Sequence, residues 1–372
     1  MIRVGITGQN GFIGNHLLNT LNLYPKKFLI INFNRNYFDN RNYLDDFVSK
    51  CDVIIHLAAL NRHNDPVLIY NINTSIANKL VESLERTSSK AHLIISSSTQ
   101  EDLDNLYGKS KKEARLLLSE WAKRNGGTLT GLIIPNVFGP FGHPYYNSVI
   151  TTFCHQLSRG EIPKIDIDRD LKLIYVGDLV EEIIKAILNS DNSHELFISH
   201  TAEAKVSQIL SILKYFRETY QERGEIPNLQ NDFHFKLFNT YRCFMDFGTY
   251  FPKKFVQHLD NRGGFVEIAR LGIPGQTSFS TTLPGITRGN HFHTRKIERF
   301  AVIKGKALIQ LRKIGANEVY NFYLDGDQPA YVDMPIWYTH NIKNIGEETL
   351  YTIFWINEPF DVNDPDTYFE IV

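Results

Sequence analysis

The chain opens with Arg3-Val-Gly-Ile-Thr7-Gly8-Gln-Asn-Gly11-Phe-Ile-Gly14. Arg3 to Thr7 is a short apolar run of the kind a buried strand needs. It empties into three glycines spaced Gly-x-x-Gly-x-x-Gly, after which Asn15 to Leu23 carries helical periodicity. Strand, glycine turn and helix in that order cradle phosphate. The glycines permit a tight turn and let backbone N–H groups approach a pyrophosphate at the positive end of the helix. Gly8, Gly11 and Gly14, with Phe12 and Ile13 between the last two, are therefore candidate dinucleotide-binding residues. The spacing departs from Gly-x-Gly-x-x-Gly, and a glycine turn can also serve packing alone, so the residues that follow have to decide.

A second strand is read over Phe28 to Phe33, ending at Asn34 and Arg35. An NAD site usually places an acid there, on the ribose hydroxyl. Here the group is basic, and Arg35 paired with a 2′-phosphate would contribute about 1.5–3 kcal/mol, which favours NADPH; the alternative is a solvated arginine. Asp52-Val-Ile-Ile-His-Leu57-Ala58-Ala59 reads as a parallel strand buried on both faces, whose last residues can pass close to a cofactor. Leu93 to Thr99 is another, running out through Ser96, Ser97 and Ser98. Tyr107-Gly-Lys-Ser-Lys111 then heads the helical run Lys111 to Trp121. Tyr107 and Lys111 share one face of a helix, and an ammonium beside a phenol favours the phenolate, bringing the tyrosine toward acid–base work.

Gly8-x-x-Gly11-x-x-Gly14, His56-Leu-Ala-Ala, Ser96-Ser-Ser, Tyr107-x-x-x-Lys111 and Pro135-Asn136-Val-Phe-Gly139 together resemble the extended short-chain dehydrogenase/reductases that act on nucleotide sugars. The resemblance implies a Rossmann-type doubly wound parallel sheet. It also implies a Ser/Tyr/Lys constellation in which Tyr107 protonates a developing alkoxide, Lys111 assists, and Ser98, with Ser97 as the second choice, supplies the hydroxyl. Lys111 and Pro135 would also touch the cofactor. Asn136, Asn147 and Arg169 fall where such enzymes hold the sugar nucleotide, while Tyr175 and Asp178 are as readily structural.

Composition sets the outer bounds. A chain of 372 residues is long for one core, and a formal net charge of -1 offers no field for gathering nucleic acid or anionic lipid. Three cysteines, Cys51, Cys154 and Cys243, are odd in number and far apart, as reduced thiols in a cytoplasmic protein would be. The N-terminus carries neither the basic segment nor the apolar run of a signal peptide, and no stretch approaches a membrane span.

Past an amphipathic helix read over Val206 to Tyr220, the character of the chain changes. Aromatic residues crowd Phe233 to Phe255, helical periodicity fades, and short apolar runs begin to alternate with turns such as Pro284-Gly285 and Asp325-Gly326. A junction is placed near Thr240 to Lys253, giving a reductase domain over residues 1–245 and an all-β domain over 250–372. Within the latter, His291 and His293 fall on one face of a strand, Glu298 follows shortly, and His340 lies further on. Three imidazoles and a carboxylate suit zinc or another divalent first-row ion.

Gly285, His291, His293, Glu298 and Gly305 resemble the first motif of the cupins. Pro335, His340 and Asn344 resemble the second, with Trp337 where a glycine is usual, so that the indole is expected to reshape the pocket mouth. Asp260-Asn-Arg262-Gly263 and Gly285-Ile-Thr-Arg288-Gly289-Asn-His291 are similar to the deoxysugar 3,5-epimerase branch, in which the residue matching His291 is a catalytic base. A ligated imidazole has its lone pair engaged and cannot also be the base. The ligand role is preferred for His291 because His293, Glu298 and His340 have no other reason to converge. Proton abstraction then falls to metal-bound water or a neighbour, with Lys296 and Tyr338 as possible proton carriers. Read together, both halves resemble bifunctional capsular-polysaccharide enzymes that fuse an extended reductase to a metal-binding cupin barrel. That resemblance implies a homodimer, a UDP-sugar substrate, C3 epimerisation and C4 reduction.

Overall fold

Val4, Ile6, Val53 to Ile55, Leu93 to Ile95 and Leu132 to Ile134 are fully buried although they lie on both faces of their strands, which only a sheet covered by helices on either side allows. The computed structural model, which describes residues 1–190 and 192–372, builds that sheet. Its elements run β1 (Ile2–Thr7), α1 (Phe12–Asn22), β2 (Phe28–Ile31), α2 (Arg41–Lys50), β3 (Val53–His56), α3 (Pro66–Arg86), β4 (His92–Ser98), α4 (Leu106–Asn125), β5 (Leu129–Ile134), β6 (Asn136–Phe138), α5 (Val149–Ser158), β7 (Asp170–Tyr175), α6 (Val176–Asn189), β8 (Leu196–Phe197) and β9 (Ala202–Lys205). Six strands pair in parallel in the order β2-β1-β3-β4-β5-β8. Ile54, Leu93 and Ile95 join the core under α2, α3 and α4, while Val4, Ile6, Ile55, Ile94 and Leu132 join the core under α1 and α6. The strand order reverses between β1 and β3, and a crevice outside the carboxyl ends of the strands follows from that reversal.

The chain divides into two compact units. One comprises residues 1–152 and 167–206, the other residues 153–166 and 207–372. The boundary read between 245 and 250 thus falls inside the second unit, whose longer segment opens with two helices, α7 (Val206–Phe216) and α8 (Asp232–Arg242). The sequence hid α8 for a physical reason. Leu237, Phe238, Asn239, Thr240, Tyr241 and Arg242 are all buried, so in its second half polar and apolar residues are covered alike and do not sort into two faces.

Behind α7 and α8 come two five-stranded antiparallel sheets. One contains the strands Glu298–Lys304, Ala330–Met334, Leu350–Ile356 and Gln276–Thr282, the other Thr287–Phe292, Lys306–Lys313, Val319–Asp325 and Tyr338–Asn344, each with a two-residue edge strand. The helices are tied to this β region by a buried charge network. Arg299 grips Asp333 bidentately at 2.7 and 2.9 Å, Tyr220 donates to the same carboxylate at 2.8 Å, and Arg242 donates to the Met334 carbonyl at 2.8 Å. The Arg299 guanidinium also lies 3.8 Å from the Tyr331 ring centroid. Among the described residues no helix is long and apolar enough to cross a membrane.

Candidate active site and metal centre

In the parallel-sheet unit a cleft of about 650 Å³ opens at the ends of β1, β3, β4 and β5. Gly8, Gly11, Phe12, Ile13, Gly14, Leu57, Ala58, Ala59, Ser97, Ser98, Tyr107, Lys111, Pro135, Asn136, Asn147 and Arg169 all line it. Only Arg35, of the cofactor and substrate residues read from the sequence, stands outside this lining, exposed at the start of a short helical turn after β2.

The glycine turn is bare by necessity. Gly8 sits at φ +79, and a Cβ on Gly14 would lie 2.2 Å from the Gly8 carbonyl oxygen, so neither position accepts a larger residue without moving the loop. Gly11 caps α1 without any side-chain hydrogen bond, which leaves the first N–H groups of the helix for a ligand. Gln9 donates to the Phe33 carbonyl at 3.0 Å and so holds the turn against the end of β2. These features fit the pyrophosphate of a dinucleotide.

Tyr107 stands in the first turn of α4, with Lys111 one turn later. Burial, helped by the nearby Tyr146, pushes the Tyr107 phenol up to about 12, so the group stands protonated. Burial also brings Lys111 down to about 8, and its ammonium donates to Ser96 at 3.3 Å. Both influences on the phenol, burial first and then Tyr146, raise it, so the lowering expected from a neighbouring ammonium does not appear. The serines separate by strand alternation. Ser97 gives its hydroxyl to Glu101, which is locked to Arg115 at 2.7 Å in a buried ion pair, while Ser98 accepts from the Gln100 N–H at 3.2 Å. Sequence reading passed over Glu101, Arg115 and Asn73. Asn73, on α3, exchanges hydrogen bonds of 2.7 and 3.1 Å with the Leu60 backbone and reaches Ser110 of α4 at 3.0 Å, fixing the loop after β3. Its signal was only a polar residue in an otherwise apolar helix face.

The second unit brings His291, His293, Glu298 and His340 together, with one ligand atom of each within 4.8 Å of the others. His291 and His340 come from paired strands of one sheet, and Glu298 opens a strand of the other. The Nε2 atoms of His293 and His340 lie 3.0 and 3.2 Å from the Glu298 carboxylate, yet these buried atoms have no properly directed hydrogen bond. Four donor atoms this close, with two of the three rings holding their other nitrogen on a backbone carbonyl (Asp366 for His293, Tyr338 for His340), suit a tetrahedral divalent ion. Burial first, then His340, brings His291 down to about 4, so it is neutral as a ligand must be. The four residues fit zinc.

Trp337 departs from expectation. It takes φ +61, the left-handed conformation that makes glycine usual there, and its indole stacks on Phe292 at 5.6 Å. Phe292 alternates away from His291 and His293, so the indole packs behind the strand and not at the pocket mouth. Lys296 is committed to the Pro365 carbonyl at 2.8 Å, and Tyr338 is buried edge-on against Phe247 at 5.3 Å, which gives neither the freedom expected of a proton carrier.

Residues 4–198 match the NAD dependent epimerase/dehydratase family, and residues 258–368 match the polysaccharide biosynthesis C-terminal domain. The chain is 31% identical over 371 residues to the UDP-2-acetamido-2,6-beta-L-arabino-hexul-4-ose reductase of Pseudomonas aeruginosa, covering 99% of this chain and 98% of that protein. The crystal structure of the capsular polysaccharide assembling protein CapF from Staphylococcus aureus is 34% identical, covers 100% of both chains and superposes with a TM-score of 0.64. RMD from Pseudomonas aeruginosa, solved with NADPH, shares the fold alone, at 20% identity and a TM-score of 0.52 over 57% of this chain and 81% of that one. The chain belongs to the NAD dependent epimerase/dehydratase family and, within it, to the group exemplified by CapF, in which a polysaccharide biosynthesis C-terminal domain follows on the same polypeptide.

Proposed function

We propose that the chain is a bifunctional nucleotide-sugar enzyme of surface-polysaccharide biosynthesis. Its second unit, read as a zinc-holding cupin barrel, epimerises C3 of a UDP-2-acetamido-2,6-dideoxy-4-keto-hexose. Its first unit reduces C4, giving UDP-2-acetamido-2,6-dideoxy-L-talose. The observation that carries this reading is the shared cleft, in which the glycine turn of a dinucleotide site opposes Ser98, Tyr107 and Lys111. The full-length likeness to a reductase of a UDP-linked 4-keto sugar supports the substrate class.

When bound, NADPH supplies hydride, and zinc supplies Lewis acidity toward a carbonyl oxygen. The chain's own residues do the rest. Ser98 donates its hydroxyl proton in a hydrogen bond to the C4 oxygen, and Tyr107, kept protonated by burial, gives its phenolic proton to the alkoxide that forms there. Lys111, buried beneath, charges the floor of the site and stabilises the phenolate left behind. In the second unit the C3 proton, acidified by the adjacent ketone, would be removed from one face and returned on the other, with His291, His293, Glu298 and His340 available to hold the ion that polarises the carbonyl. Asn136, Asn147 and Arg169 hold the nucleotide end. A homodimer in the cytoplasm completes the reading.

Incubating the protein with the 4-keto sugar in deuterated water tests both halves. Exchange at C3 without NADPH, and a reduced product only with it, is the expected result. Absence of exchange would remove the epimerase role and leave the second unit as a binding module attached to a reductase.

A further inference from the structure

Asp366 carries three features that no fold requirement explains together. It is a non-glycine residue at φ +42, it is only 3% exposed although it belongs to an otherwise largely exposed tail, and its carboxylate is saturated with donors. One oxygen accepts from the Thr294 N–H at 3.0 Å and the Thr294 hydroxyl at 2.6 Å, the other from the N–H groups of Arg295 at 3.0 Å and Lys296 at 3.2 Å. The left-handed conformation is one that aspartate tolerates better than most side chains. Its effect is to turn the Asp366 carbonyl onto Nδ1 of His293. The carboxylate therefore grips the segment that follows His293, while the carbonyl of the same residue grips the imidazole.

We infer that Asp366 is a positioning residue for the metal centre: it fixes the tautomer and angle of His293 so that Nε2 faces Glu298 and His340, and docking of the tail thereby sets metal affinity. Two neighbours hold the tail in register. Arg295 takes the Asp364 carboxylate at 2.8 and 3.1 Å, and Lys296 donates to the Pro365 carbonyl at 2.8 Å. An imidazole whose second nitrogen is free rotates and samples both tautomers, whereas one held on a carbonyl presents a single lone pair. A glycine at this position keeps the left-handed backbone and the carbonyl but loses the carboxylate, so a change at the zinc site in Asp366→Gly reports the docking of the tail and not the backbone conformation.

The inference rests on the four-ligand reading of the metal centre, and the test separates the two. Zinc affinity is measured by competition with a chelator, and the visible spectrum of the Co2+-loaded protein is recorded, for wild type, Asp366→Gly and Asp366→Asn. Circular dichroism and NADPH binding report on folding. Asp366→Gly is expected to weaken zinc binding by roughly 10- to 100-fold, the usual effect of losing a ligand's orienting partner, and to alter the cobalt d–d bands. Asp366→Asn, which keeps the left-handed tolerance and part of the acceptor set, should fall between glycine and wild type. Folded variants with the affinity and cobalt spectrum of wild type would overturn the role of Asp366 alone. A wild type that binds neither ion would overturn the metal reading and this inference with it.

Discussion

Arg299 and Asp333 face each other through two parallel hydrogen bonds with both side chains essentially sealed from solvent. A buried pair of this kind adds little over an apolar pair, yet removing one partner strands a charge. Asp333→Ala is therefore expected to destabilise the second unit by about 3–5 kcal/mol, because Tyr220 loses its acceptor at the same moment. Chemical denaturation followed through a reporter in that unit measures it; a loss under about 1 kcal/mol would place the pair in the class of screened surface bridges.

Tyr107→Phe removes the proton donor and nothing else from the cleft. Reduction with NADPH should fall by roughly 10²- to 10⁴-fold, while proton exchange at C3 continues. Ser98→Ala should slow the same step, whereas Ser97→Ala should chiefly loosen the Glu101–Arg115 pair and lower stability. Retained reduction in Tyr107→Phe would refute the assignment.

Lys111 gives a pH signature. Its folded pKa, about 8, lies below its unfolded value, so between those values the unfolded chain binds more protons and stability rises with pH. The burial penalty is fully present below about 8 and is relieved as the ammonium loses its proton. Buried tyrosines and cysteines act in the opposite sense at higher pH, since burial raises them. Comparing Lys111→Met with wild type isolates the one group: wild type should gain on the variant as pH climbs past 8, and parallel stability curves would contradict it.

Arg35 is exposed and outside the cleft lining, so its part depends on a cofactor reaching past β2. If it pairs with a 2′-phosphate, Arg35→Ala should raise KM for NADPH by roughly 10- to 100-fold, the worth of one charged hydrogen bond, and leave KM for NADH unchanged. Equal effects on both cofactors would make it a solvated side chain.

Much of this was legible because backbone-driven features leave narrow residue choices. Gly14 admits no Cβ, so the turn shows itself in any sequence, and His291, His293 and Glu298 fall close together along the chain. Asn73 and Asp366 were not legible. Each acts through hydrogen bonds to segments distant in sequence, where a single Asn or Asp looks like any other polar residue. Helix α8 escaped because its second half buries polar and apolar residues alike, and the chemistry of Trp337 was misread because residue type alone does not reveal a positive φ. The pairing of Lys111 with Ser96 was likewise invisible, since it turns on which way a buried lysine bends.

The division of the chain has a bearing on its descent. Two ancestral proteins joined end to end would leave a single crossing between their products, and either could later be shed by one deletion. Here the polypeptide enters the second unit at 153, returns at 167 and crosses again at 207. No single cut yields both units whole, so descent from two ready-made proteins calls for a later exchange of segments between them, and a polypeptide ended near residue 245 would keep residues 207–245 apart from the rest of their unit.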